Sequence, residues 1–240
     1  MDCLGQQSGV QSVQNLENVI NEGLRAALLA ETPDQSLDVL LQHLGMALDG
    51  ERTYIFEQNA SGCDEWVADG VEPEKEHLQN LPQEVCASWY RNFSIGRHIV
   101  IENLEDIRET DPLQYENLKR QSIRSLVVVP LYNGEKIIGF YGVDNPPAKS
   151  LEYASNMLQT AAYFIVSCLK QRNLVRELQK RSYNVLQALS VDYLGIFQVN
   201  FDTDECEVYR NSEKMDMDWG AGLVDGYQES VGQYISRCVA

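Results

Sequence analysis

Two apolar runs joined by a tight turn constrain this chain more than any other feature. Ile123-Arg124-Ser125-Leu126-Val127-Val128-Val129-Pro130-Leu131-Tyr132 is rich in β-branched residues, Asn133-Gly134 supplies a hairpin turn, and Lys136-Ile137-Ile138-Gly139-Phe140-Tyr141-Gly142-Val143-Asp144 returns. A strand with one solvated face alternates apolar and polar residues. Both arms here are nearly continuously apolar, so they are expected at the centre of a sheet covered on both sides. Pro130 has no amide hydrogen to donate and should mark a bulge or the end of regular pairing. Asn145-Pro146-Pro147 ends the return strand.

The flanks supply what such a sheet needs. Residues 1–13 are rich in Gly, Gln and Ser and are expected to fray. Leu16, Val19, Ile20, Leu24, Ala27 and Leu28 fall at three- and four-residue steps, the spacing of one helix face. Thr32 is placed to cap a second helix with Pro33 at its first position; Leu37, Leu40, Leu41, Leu44 and Leu48 form its apolar face and Asp49-Gly50 its stop. Short β runs follow at Thr53–Phe56 and Glu65–Ala68, separated by a turn at Asn59–Gly62. A break at Asp69–Glu74 leads to a helix opened by Pro82, bearing Val85, Trp89 and Phe93 and ended by Gly96. His98–Ile101 reads as a brief strand. Two acidic helical pieces come next, Leu104–Arg108 and Pro112–Gln121, the second with Leu113 and Leu118 on its apolar side.

Leu151 to Leu189 contains no Gly or Pro and reads as one long helix, or as two shorter ones broken near Ser182. Ala161, Ile165, Cys168, Arg172, Val175, Ser182, Val185 and Leu189 approximate a 3-4 repeat, with polar residues entering from Arg172 onward. Its second half has few apolar residues to bury in its own domain, which suggests a connector pairing with its copy in another subunit. A new β pattern begins at Gly195–Phe201, turns at Asp202–Glu205 and returns through Cys206–Arg210. The stretch is thin for a free-standing core, so this module reads as incomplete and the chain as part of a longer protein.

Charge and motif content exclude whole classes of function. With 36 acidic against 19 basic residues, net −17, the chain repels phosphate backbones and anionic lipid, which argues against nucleic-acid partners and membrane surfaces. The imbalance is uneven: residues 151–190 hold two acidic and five basic residues. The strongest apolar cluster, Thr160–Leu169, is about half of the ~20 residues a membrane helix needs, so no membrane insertion is expected. No signal peptide is recognised, and a cytoplasmic location is expected. Six cysteines and three histidines show neither a disulfide framework nor a metal-ligand spacing, and the usual phosphate-binding loops are absent. No catalytic residue, metal or cofactor is expected.

Glu105-Asp106-Ile107-Arg108 and, above all, the two hairpin runs resemble the GAF domain, in which the first strand reads I-x-S-L-x-V-P-L and the second x-I-G-x-L-x-x-D. The resemblance covers about residues 33–170. Asp144-Asn145-Pro146-Pro147 resembles GAF domains that precede diguanylate cyclase modules, and Leu194–Thr203 is similar to the opening of a PAS domain. The resemblance implies an α+β fold: a six-stranded antiparallel sheet flanked by helices with a small-molecule pocket on one face, a long exit helix, then a partial PAS-like β module. The implied division is a flexible 1–15, a sensor domain over 16–150, a helical linker over 151–190 and the partial module over 191–240.

In function, the resemblance implies a non-catalytic sensory module. It would bind a small ligand or mediate dimerisation, as a homodimer through its helices, and relay the signal to a downstream output domain in cis, a diguanylate cyclase or a histidine kinase. No motif of either output is present. The cyclic-nucleotide signature of the family is absent, and residues 87–167 contain no cysteine for bilin attachment. The alternatives are a redox enzyme of the free methionine sulfoxide reductase type, which would need Cys63 and Cys86, and a purely structural dimerisation module.

Tyr54, Trp66, Trp89, Phe93, Tyr115 and Tyr141 are the candidate pocket residues, with Phe56 and Phe140 beside them. Each of these could equally fill a core, because aromatic side chains dominate cores generally. Arg124 and Asp144 could meet as an ion pair across the hairpin, the reading preferred over a ligand contact. Arg91, Arg97 and Arg108 could hold an anionic ligand or stand as surface charges. Cys63, Cys86 and His98 raise a redox or metal-sensing alternative, and Glu72–Glu76 reads as a solvated loop.

Overall fold

A computed structural model describes residues 18–58, 63–78, 83–189, 195–211, 222–226 and 228. The chain divides into two compact units, Met1–Arg172 and Asn173–Ala240.

The first unit is built on an antiparallel sheet of order β2-β1-β5-β4-β3, formed by β1 (Arg52–Glu57), β2 (Cys63–Val67), β3 (Ile99–Ile101), β4 (Leu126–Asn133) and β5 (Lys136–Asp144). The hairpin β4–β5 is central, and β5 is bonded on both edges, to β1 and to β4. Each β run read from residues 52–144 becomes one strand. The sixth strand, which only the family resemblance implied, has no counterpart among the described residues, so the sheet has five. Pro130 pairs with Phe140, and the register shifts one residue later, between Leu131 and Tyr132.

Parity along the strands explains the continuous apolar runs. Ile55, Val127, Val129, Leu131, Tyr141 and Val143 face one side, where they meet α1 (18–28), α2 (Pro33–Leu48) and the first half of α6 (Ala148–Leu189). Tyr54, Leu126, Val128 and Phe140 face the other, against α4 (Gln83–Ser94), a 3-10 turn at Leu104–Ile107 and α5 (Pro112–Arg120). Two cores therefore share one sheet, and neither arm has a solvated side.

Local signals set most helix ends. A reciprocal capping box joins Thr32 and Gln35 at the start of α2, Pro33 follows the cap, and Asp49 closes the helix in the left-handed conformation. Leu113, expected on the apolar side of α5, is 61% exposed; Gln114, Tyr115 and Leu118 are buried instead. The Glu72–Glu76 run, expected to be a solvated loop, leads at its end into a single helical turn, α3 (Lys75–Leu78). Its backbone amides at Glu74 and Lys75 donate to the Glu65 carboxylate of β2, a cap from ten residues away that no local pattern announces.

α6 is one helix of 42 residues, with no break at Ser182. Ala154, Leu158, Ala161, Ile165, Leu169 and Arg172 are buried in the first unit. The first half of the 3-4 stripe is thus taken up by the domain's own core. Beyond it, Leu174, Val175, Leu178, Tyr183 and Val185 are each 46–57% exposed. In the second unit β6 (Gly195–Asn200), β7 (Glu205–Asn211) and β8 (Gly222–Asp225) form an antiparallel meander with Cys206 and Val208 buried; β8 was not read from the sequence.

Candidate functional site

The face beneath α4 holds the densest aromatic cluster among the described residues. Phe140 stands at its centre: Phe56 stacks on it at 4.9 Å, Trp89 meets it edge-on at 5.5 Å, and Tyr90 and Phe93 lie 6.2 and 6.0 Å away. Phe93 is fully buried, and Tyr54, Trp89 and Phe140 nearly so. Side chains therefore occupy the space between sheet and helix. Three buried polar atoms on the helices covering this face, Ser88 Oγ, Tyr90 Oη and Gln114 Oε1, have no hydrogen-bond partner among the described residues. Buried polar groups without partners are uncommon and point to unmet hydrogen-bonding capacity.

The six candidate residues do not converge. Tyr54, Trp89 and Phe93 share this face. Tyr115 joins the same core from α5, where its hydroxyl donates to Glu105 and accepts from Lys119. Trp66 and Tyr141 lie across the sheet. The Trp66 ring packs so closely on α2 that a Cβ at Gly45 would come within 2.1 Å of it, and the Tyr141 hydroxyl donates to the Leu158 carbonyl of α6. The alternation of side chains along a strand separates them: Trp66 is paired with Thr53, not with Tyr54.

Arg124 and Asp144 do not form the expected ion pair. Arg124 bonds Glu51 at 2.6 Å on the surface, whereas Asp144 takes a buried hydrogen bond from Arg52 Nε at 3.1 Å. Arg52 lies directly opposite Asp144 in the β1–β5 ladder, a pairing that only the register reveals. Burial raises the Asp144 carboxyl to about 7 despite the guanidinium beside it. Burial likewise pushes the Cys63 and Cys86 thiols up to about 12, the opposite of what a nucleophilic thiol requires.

Arg172, read as one of the polar residues entering the helix stripe, proves to be an anchor. It is 4% exposed, with Nη1 donating to Asp34 of α2 (3.0 Å) and Asp64 of β2 (2.9 Å) and Nη2 to Glu57 of β1 (2.6 Å). One guanidinium thus ties the exit helix to three other elements. Glu57 is the chain neighbour of Phe56, so adjacent residues of β1 touch the helix anchor on one face and the aromatic cluster on the other.

Clefts also open elsewhere among the described residues of the first unit. One, about 630 Å³, lies among Glu51, Glu105, Lys119 and Arg124 at the foot of α5. Another, about 770 Å³, lies at the β3 edge of the sheet, between α6 and the second half of β4.

A five-stranded antiparallel sheet between two helical layers, with a long helix leaving from its last strand, defines a domain of the α+β class. The chain belongs to the GAF domain family: the family model matches residues 32–169. Among curated proteins, the methanogenesis regulatory histidine kinase FilI of Methanothrix harundinacea is 32% identical over 122 residues, a match covering 47% of this chain and 13% of the kinase. Three solved structures share the fold. A far-red absorbing dark state with bound biliverdin has a TM-score of 0.51 at 15% identity, covering 64% of this chain and 98% of that one. The photosensory core module of the Stigmatella aurantiaca phytochrome has a TM-score of 0.51 at 10% identity, over 72% and 40%. The chromophore-binding domain of an R. palustris bacteriophytochrome has a TM-score of 0.50 at 9% identity, over 66% and 62%. Among the described residues no helix is long and apolar enough to cross a membrane.

Proposed function

We propose that this chain is the non-catalytic sensory input segment of a longer cytoplasmic signalling protein. It pairs as a homodimer through α6 and is coupled in cis to an output domain. The observation that carries this reading is α6 itself. It is part of the domain core up to Arg172, then continues without a break as an exposed helix bearing Leu174, Val175, Leu178 and Val185. A shift in the packing of the sheet against α6 would bias the pairing of its second half, linking two sites through one coupling free energy. The output is a histidine kinase or a diguanylate cyclase. The sequence match to FilI supports the first, and the Asp144-Asn145-Pro146-Pro147 resemblance supports the second. The second unit is read as the opening of a PAS-like module.

A small ligand would enter under α4, against Tyr54, Trp89 and Phe93, and would have to displace part of the Phe140 cluster. The unpartnered Ser88, Tyr90 and Gln114 atoms favour such a ligand. The tight aromatic packing favours the rival reading, a dimerisation module that senses nothing. A broad thermal-shift screen separates the two, since a scaffold responds to no small molecule. Sedimentation velocity tests the relay. The full chain is expected to be dimeric, and Leu178→Glu with Val185→Glu is expected to weaken the dimer by about tenfold or more. A wild-type chain that stays monomeric would sink the pairing.

A further inference from the structure

We infer that the cleft at the β3 edge of the sheet is a binding site for an amphipathic monoanion, an apolar body carrying one carboxylate. The cleft exists because β3 is too short to cover β4. Ile99 to Ile101 pair only with Val128 to Leu126, so β4 from Val129 onward has no third strand beside it, and Pro130 lacks an amide hydrogen to offer one. α6 passes alongside this uncovered half and supplies seven of the thirteen lining residues. About 770 Å³ falls within the usual range for small-molecule sites, about 300–1,000 Å³.

The lining states the chemistry of the occupant. Val129, Pro130 and Val166 are buried and form an apolar floor, and Tyr163, 85% exposed, stands at the rim. None of the lining residues is acidic, although the chain carries 36 acidic against 19 basic residues. Lys170 is the one formal charge in the lining, and it has no ion-pair partner among the described residues. The Gln159 side chain, with Nε2 3.4 Å from His98 Nδ1, adds an uncharged amide to the same lining. One cation and an uncharged amide suit a single carboxylate, whereas a polyanionic phosphate calls for several cations. An occupant would lie directly on α6, two residues before the Arg172 anchor. The site stands on the geometry of the first unit, and only its consequence for the helix rests on the relay reading.

Calorimetric titration of the full chain with octanoate, octanol and octylamine tests it. Octanoate is expected to bind, with octanol and octylamine weaker by roughly fivefold or more. Ser167 and Lys170 are both exposed, so their replacement leaves the fold intact. Ser167→Trp, which fills the cleft, is expected to abolish octanoate binding, and Lys170→Met to remove the preference for octanoate over octanol. Trp89→Phe, under α4, is expected to leave binding unchanged. Equal binding of octanoate and octylamine overturns the proposal, as does binding that survives Ser167→Trp or is lost only in Trp89→Phe. Hydrogen exchange over residues 173–189 keeps the two readings apart: specific binding with unchanged exchange upholds the site and counts against the relay.

Discussion

Asn145 holds a left-handed conformation, φ 53°, where β5 gives way to α6. Its Oδ1 accepts from the Arg124 and Ser125 amides at 2.6 and 3.3 Å, and its Nδ2 donates to Glu51 at 2.6 Å and to the Ser122 carbonyl at 3.1 Å. Asn tolerates this backbone better than most residues, and its amide satisfies groups on both sides of the junction. Asn145→Ala is expected to cost about 2–4 kcal/mol in urea unfolding, from lost bonds and backbone strain together. Asn145→Gly keeps the backbone relaxed and should cost about 1 kcal/mol less. Equal losses in the two variants would show that the left-handed backbone carries none of the effect. The neighbouring Asp144 carboxyl titrates within reach of neutral pH, raised by burial to about 7. Its unfolded value is about 3.9, so between these two limits the native state binds the extra proton. The contribution is full below the unfolded value and declines as pH rises through about 7. Wild type should therefore lose on the order of 2–4 kcal/mol relative to Asp144→Asn between about pH 4 and pH 8. A pH-independent difference between the two proteins would rule this titration out.

At the scale of elements, the attachment of α6 depends on Arg172. Replacing it with Met strands Glu57, 7% exposed, and the neighbouring Asp64 without their cation. Breaking a buried pair from one side costs about 3–5 kcal/mol, so Arg172→Met should lower stability by that order and speed hydrogen exchange in α6 before residue 172. Arg181 offers the control. Its bond to Glu177 joins exposed side chains one turn apart, and Arg181→Met should cost less than about 0.5 kcal/mol. A small effect at both positions would remove the anchor. The same contrast shows what the sequence discloses. α2 was legible because Thr32, Pro33 and the Leu37–Leu48 stripe act within one or two turns, and the β4–β5 hairpin because its arms meet across a two-residue turn. Arg172 was not, because its partners lie 108 to 138 residues away and no periodicity records such distances. The candidate pocket was half legible. The aromatic residues were read as lining a pocket or filling a core, and assigning Tyr141 and Trp66 to the opposite face from Phe140 and Tyr54 required the register. The edge cleft left no signal, since it results from β3 stopping after three residues.

Over the whole molecule, charge opposes the pairing proposed for α6. Each chain carries a net charge of −17, so two copies repel at long range, while residues 151–190, with five basic and two acidic side chains, repel their own copies at short range. Both terms are carried mainly by exposed groups: Lys170, Arg176, Lys180 and Arg181 all lie on the solvated surface of α6. Exposed charges are screened over about 10 Å at 0.1 M salt and about 3 Å at 1 M. The apolar contacts expected from Val175, Leu178 and Val185 are not weakened by salt, and excluded salts strengthen them. Raising sodium chloride from about 0.05 to about 0.5 M should therefore tighten the dimer, on the order of tenfold in dissociation constant, measured by sedimentation equilibrium. If attraction between acidic modules and the basic helix of the opposite chain governed assembly, the same change would loosen it. A dimer that loosens with salt would shift the interface away from the Val175–Val185 stripe and onto charged surfaces. A dimer that tightens would leave α6 marginally paired at low ionic strength, where a small change in the packing at Arg172 has the most leverage over assembly.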